Sequence, residues 1–316
     1  MDNKLIFVVK EINHNIDIKD YLKEMENLSG RFVRKAVRDG RIFVNGEKVI
    51  KKRKLAQDDL IEIYMQEDEH QNIDPEDMNI KIVYEDSDII VINKRPGIVV
   101  HPTKNHPTGT LSNGILYHFK KKGEKSIVRL VNRLDRDTSG LVIVAKNQFS
   151  HMRLASDMSK DSFRKIYIAV VHGSMKQKEG RINLPIYKEE NESIKRIVDE
   201  RGQESITTYE VLEELSKGSV VRLELETGRT HQIRVHMSHL GHHLYGDSLY
   251  GKGEEEKEYI ERQALHAYKL EFPHPRTGNI LKLQCSLPED IKKLIEKIKI
   301  KELCENSFYK NFAQLR

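Results

Sequence analysis

Asp135 is the residue of this chain whose setting best suits chemistry. It stands in Val131-Asn132-Arg133-Leu134-Asp135-Arg136-Asp137-Thr138-Ser139-Gly140, which runs into Leu141-Val142-Ile143-Val144-Ala145. The second half is an apolar, β-branched run of strand length and reads as a buried strand. The first half is a polar turn, in which charged and hydroxyl residues crowd against a glycine that can take unusual backbone angles. A carboxylate on a loop anchored by a rigid strand is well placed to act as a base or a nucleophile. The plain alternative is an Asx-type turn in which Asp135 and Asp137 bond to nearby amides.

The elements that must position such a group can be read on either side of it. Asp88 to Ile92 is an apolar strand leading to Asn93-Lys94-Arg95-Pro96-Gly97 and His101-Pro102, with a turn at Pro96-Gly97. Helices are expected from Thr110 to Phe119 and from Gln148 to Met158. Phe163 to Val171 reads as a strand with Tyr167 on the same face as Lys165 and Ala169. Further strands are expected at Gly180 to Ile186, Ser205 to Leu212 and Ser219 to Leu225. The stretch from His231 to His236 is read as extended, which would point Gln232, Arg234 and His236 to one side and His231, Ile233 and Val235 to the other. A glycine-rich loop with Gly246-Asp247 follows, then a hairpin of His266 to Phe272 with Ile280 to Ser286, and an amphipathic helix from Glu289 to Lys299.

The chain has 316 residues, enough for two domains. No apolar run reaches membrane-spanning length and the N-terminus has no signal-peptide pattern, so no membrane partner is expected. With Cys285 and Cys304 as the only cysteines, there is no disulfide framework, and a reducing cytoplasm is the expected compartment. Five histidines fall between His231 and His243, but their spacing is irregular and no local ligand motif supports them, so no metal site is expected. Without a coiled coil or a long exposed apolar stripe, a monomer is expected.

Net charge is only +5, but it is unevenly spread. From Lys23 to Lys54 there are eleven Lys and Arg against four acids, followed by six acids and no Lys or Arg from Asp58 to Glu69. A basic surplus in one small unit suits a polyanion. There, a strand from Lys4 to Ile12 precedes helices at Asp17 to Met25 and Arg31 to Asp39. A hairpin around Asn45-Gly46 and a strand from Asp58 to Met65 follow. Residues 13 to 66, with "GRFVRKAVRDGRIFVNGEKV" at the centre, resemble the alpha-L RNA-binding domain. The resemblance implies phosphate contacts from Arg31, Arg34, Lys35, Arg38 and Arg41. A solvated basic helix face is the plain alternative. Residues 1–70 are thus expected to form this domain, 71–79 a linker and 80–316 the catalytic domain.

Four stretches then stand in order. They are Asn93-Lys94-Arg95-Pro96-Gly97 with His101-Pro102, Arg133-Leu134-Asp135 with Thr138-Ser139-Gly140, Lys165-Ile166-Tyr167-Ile168-Ala169, and Gly228-Arg229-Thr230-His231-Gln232-Ile233-Arg234-Val235-His236 with Gly246-Asp247. Together they resemble the RluA-type pseudouridine synthases over about residues 80 to 290. The resemblance implies an α+β catalytic domain on a long bent, mainly antiparallel mixed sheet. It implies an isomerase that turns uridine into pseudouridine in structured RNA without cofactor. Large-subunit ribosomal RNA is the expected substrate, transfer RNA the alternative. A non-catalytic RNA-binding ribosome-assembly protein of the same fold is the rival reading. By position, Asp135 matches the essential aspartate, Arg234 its arginine partner and Tyr167 the active-site tyrosine. Arg133 matches the residue that replaces the extruded base. Lys94, His101 and Arg229 fall in stretches that lie near RNA. The departure is Asn132, where most of the family has histidine.

Overall fold

The computed structural model describes residues 4–10, 15–26, 28–50, 52–65, 71–189 and 194–299. Two sheets dominate. The smaller one is antiparallel, with the strands Lys4–Val8, Leu60–Tyr64, Ile42–Val44 and Glu47–Lys48 in that spatial order. Its hairpin turns on Asn45 and Gly46, both with positive φ (50° and 80°), as the tight primed turn requires. Two helices, Ile18–Glu24 and Gly30–Arg38, bury Tyr21, Leu22, Phe32, Val33 and Ala36 against Leu5, Ile42, Ile61 and Ile63 of that sheet. Each helix starts at a side-chain cap. Asp17 accepts from Lys19 N at 3.0 Å and Ser29 Oγ from Phe32 N at 3.2 Å. The first strand stops at Val8, short of the expected Ile12, which lies outside the described residues.

The larger sheet has ten strands. The order runs Glu179–Asn183, Ile206–Leu215, Gly218–Leu225, Arg164–His172, Leu265–Pro273, Ser139–Ala145, Ile89–Lys94, Lys81–Glu85; Ile280–Gln284 pairs beside Leu265–Pro273 and Arg129–Leu130 beside Ser139–Ala145. All pairings are antiparallel except that of Leu265–Pro273 with Ser139–Ala145, where His266 faces Ser139 and Ala267 faces Gly140. This is the mixed α+β architecture expected from the sequence.

The Ser139–Ala145 strand is buried along its whole length because both faces are covered. On one side Val142 and Val144 meet the Leu111–Lys121 helix through Leu111, Ile115 and Phe119. On the other, Leu141 and Ile143 meet Leu154 of the Gln148–Asp157 helix with Phe163 and Phe272. A helix over 289–299 packs Ile291, Leu294 and Ile298 on Ile168 and Val170. Residues 71–79, expected as a linker, form no helix or strand, yet they are fastened down. Gln71 exchanges two hydrogen bonds with the Val128 backbone, Glu76 accepts from Gly109 N, and Asp74 O accepts from Asn113.

The expected extended stretch at His231 to His236 is corrected: Gln232–His239 is an α-helix entered through His231 in the left-handed conformation (φ 58°). Gln232 to Met237 are all buried, so the helix shows no polar face and no amphipathic period by which sequence could reveal it.

Candidate active site

The loop carrying Asp135 is pinned from three sides. Asn132 sits beside the strand like an extra strand residue, donating to Leu141 O and accepting from Ile143 N at 2.7 Å. Its amide thus supports the backbone. Gly140, at φ 113°, lies so close to the neighbouring strand that a Cβ would come 2.2 Å from Ala267 O. Beneath the loop, Lys94 Nζ donates to Arg95 O, Ile98 O and Arg136 O at 2.7–3.1 Å.

Lys94 is 1% exposed, which corrects its expected place on the RNA surface. Its three ammonium donors are spent on backbone carbonyls, and burial pushes its pKa down to about 7 against the pull of Asp137 and Asp135. Arg41 is corrected likewise. It turns inward over the Phe32 ring, donates to Tyr64 O at 2.7 Å and leaves 12% of its side chain exposed. Arg31, Arg34 and Arg38 stay on the outer face and Lys35 is half-buried. His101, Arg133 and Arg229 are also exposed.

Asp135 itself is half-buried and open to solvent, 28% of its side chain remaining exposed. Arg234 Nη1 donates to Asp135 Oδ2 at 3.0 Å. The buried Gln232–His239 helix brings that guanidinium to the loop, and Asp247 fixes it. Arg234 Nε and Nη2 donate to the two Asp247 oxygens at 2.7 and 2.8 Å, a bidentate fork. Asp247 is fully buried and also accepts from Leu249 N and Tyr250 N at 2.9 and 3.0 Å. Burial opposes its charge, but Arg234 and these amides outweigh burial and hold its pKa low. Burial likewise opposes the Arg234 charge, and Asp247 and Asp135 more than restore it. The guanidinium is therefore a fixed cation offering one remaining edge to Asp135.

Two further groups complete the surroundings. Tyr167 is 7% exposed, and burial with the nearby Asp135 charge raises its pKa well above the ordinary phenol value. Its ring is a neutral phenol at neutral pH. Tyr250 packs its ring 5.1 Å from the Arg234 guanidinium, and its hydroxyl lies 2.9 Å from His231 Nδ1. That hydroxyl also accepts from Arg196 N at 2.8 Å, next to the small hairpin of Ile186–Tyr187 and Ile197–Val198. His231 Nε2 is 3.8 Å from Asp135 Oδ2. Burial lowers the His231 pKa, and Arg234 and Arg196 add to that while Asp135 opposes it.

The structure thus brings Asp135, Arg234 and Tyr167 together, and adds Asp247, His231 and Tyr250, whose parts sequence reasoning did not assign. One signal was available for Asp247: a buried guanidinium needs more negative charge than one solvent-exposed carboxylate supplies. For Tyr250 and His231 no signal existed, because their contacts depend on the loop path.

The site is thus a partly open carboxylate held by a locked guanidinium beside a neutral aromatic ring. The model of the RNA pseudouridylate synthase family matches residues 88–239. The RNA pseudouridine synthase YjbO of Bacillus subtilis is 42% identical, over 81% of this chain and 90% of its own length. Ribosomal large subunit pseudouridine synthase D of Yersinia pestis is 38% identical, over 84% of this chain and 86% of its own. Among solved structures, human RNA pseudouridylate synthase domain containing 1 is similar with TM-score 0.55 at 28% identity, covering 66% of this chain and 83% of that one. The chain belongs to the RluA-type family of RNA pseudouridine synthases. It is an isomerase that makes pseudouridine in RNA, and the rival reading of a non-catalytic RNA-binding protein is set aside.

Proposed function

We propose that Asp135 carries the reaction, as nucleophile on the ribose anomeric carbon or as base on the neighbouring ribose proton. In either route the bond from that carbon to N1 of uracil breaks, the base turns, and a bond to C5 forms. The C5 proton is then lost and N1 gains one. The observation that supports this reading is the 3.0 Å bond from Arg234 to a carboxylate still open to solvent, with Arg234 itself locked by Asp247. Tyr167 supplies a neutral ring on which uracil stacks, and its raised pKa argues against a phenolate base in the resting enzyme. Arg133, exposed two residues before Asp135, fills the helix from which the uridine is flipped, a step that costs a few kcal/mol.

Residues 1–70 serve as an alpha-L type RNA-binding domain that grips phosphates through Arg31, Arg34, Lys35 and Arg38, with 80–316 as the catalytic domain. Large-subunit ribosomal RNA is the substrate this reading favours. It is supported by the named specificity of the Yersinia pestis relative and by the basic helix, which suits a large structured RNA. The site of action is then the cytoplasm, where that RNA is made. The test is tritium release from ribosomal RNA labelled at C5 of uridine and taken from a strain lacking the gene, with pseudouridine mapping of the product. Release from large-subunit RNA at one or a few sites is expected. Release only from transfer RNA would overturn the substrate, and retained release by Asp135→Asn would overturn the role of Asp135.

A further inference from the structure

Away from Asp135, one cluster of metal-ligand side chains is assembled from three separate segments. His172 ends the Arg164–His172 strand, His243 lies beyond the Gln232–His239 helix, and Glu256 lies in the turns that follow. One ligand atom from each lies within 4.8 Å of the other two. The main chain sets the two histidines opposite each other, His172 N donating to His243 O and Tyr245 N to Val170 O, both at 3.0 Å. Their rings stack with centroids 4.3 Å apart, and the Tyr245 ring stacks on His172 at 3.8 Å. Gly251 leaves room for the His243 ring, since a Cβ there would lie 2.7 Å from its Cδ2. Glu256 is 5% exposed. One of its oxygens accepts from Gly246 N at 2.7 Å, and the other abuts His172 Nε2.

Buried polar atoms are nearly always hydrogen-bonded. Here Nε2 of His172 and Nε2 of His243 are both buried; the first meets only Glu256, and the second makes no hydrogen bond. A protonated His172 paired with Glu256 would account for one of the two nitrogens and leave His243 unexplained. A shared cation accounts for both. Two imidazoles and a carboxylate, oriented by a backbone amide, are the donor set of a borderline divalent ion. We propose that His172, His243 and Glu256 form a zinc site with its remaining position left to solvent. The ion would be structural. It would clamp the strand end to the segment whose Gly246 precedes Asp247, and so hold the carboxylate that locks Arg234.

The test uses untagged full-length protein, stripped by chelation and titrated with Co2+ alone at neutral pH. One equivalent is expected to bind with the visible bands of four-coordinate cobalt, and Zn2+ is expected to displace it. His243→Ala, and separately Glu256→Gln, should abolish the bands or weaken binding at least about tenfold. Wild-type protein without saturable cobalt binding overturns the assignment, as do bands that survive both substitutions. Bands lost only on replacing Asp86, which groups with Asp88 and His274 as another possible ligand set, or Cys304 locate the ion elsewhere and overturn it equally. Should a variant fail to fold, proton NMR of the cobalt-loaded wild type decides: contact-shifted signals from two histidine rings support the site, and none or one overturns it.

Discussion

At the scale of single residues, the site is a chain of charges in which each member fixes the next. Asp247 holds Arg234, and Arg234 presents its last edge to Asp135. Asp135→Asn keeps the shape of the loop, so RNA binding should stay near wild type while turnover falls about 10⁴-fold or more. Filter binding and tritium release, measured on the same preparation, check both halves. Asp247→Asn should be worse for stability than for binding, because it leaves a buried guanidinium without its bidentate partner. A loss of about 3–5 kcal/mol in urea unfolding is expected. Tyr250→Phe removes one hydroxyl that bridges His231 and the Arg196 backbone. Its expected cost is about 1 kcal/mol, roughly fivefold in kcat/KM.

At the scale of elements, two joints carry much of the architecture. The parallel pairing of Leu265–Pro273 with Ser139–Ala145 depends on Gly140, where backbone meets backbone. Gly140→Ala should therefore destabilise the fold and displace Asp135, visible as a lowered melting temperature together with lost turnover. The second joint is Glu85, at the end of the Lys81–Glu85 strand. It pairs with Lys146 at 2.8 Å, and with His118 and Lys122 of the neighbouring helix end at 3.0 and 3.1 Å. Burial works against its charge, but those three donors outweigh burial and hold its pKa at about 2, against 4.5 for a free glutamate. Its stabilisation is complete above pH 4.5, fades as pH falls from there, and is gone once pH passes below about 2. Glu85→Gln should flatten the fall in stability across that acid window, as followed by urea midpoints at successive pH values.

At the scale of the whole molecule, the basic unit is packed onto the catalytic sheet. Arg276 Nη1 donates to Lys4 O at 2.7 Å, and Phe149 of the Gln148–Asp157 helix joins the apolar cluster of the smaller sheet. The exposed arginines of Gly30–Arg38 are thereby carried on the same body as Asp135. Arg31→Ala combined with Arg34→Ala should weaken RNA binding across sequences alike. It should reduce the slope of log affinity against log salt by about 1–2 units, with turnover at saturating RNA preserved. An unchanged slope would remove those two residues from the interface.

Where burial followed a local pattern, the sequence alone determined the outcome. The β-branched run at Leu141 to Ala145 is a strand under any packing, the Asn45-Gly46 turn needs only its own backbone, and Ser29 and Asp17 cap the helices that follow them. Asp135 on its loop, and the order of the four stretches around it, were legible for the same reason. What tertiary structure decided are properties of neighbours distant in the chain. Arg41 and Lys94 turn inward while Arg38 stays out, because carbonyls of Tyr64 and Arg136 are within reach of the first two. Gln232 to Met237 are buried on every face of their helix, so these residues carry no period to read. Asp247 meets Arg234, and His172 meets His243 and Glu256, only because the chain folds back over the sheet. A charge or a ligand nitrogen has no direction until its surroundings are built.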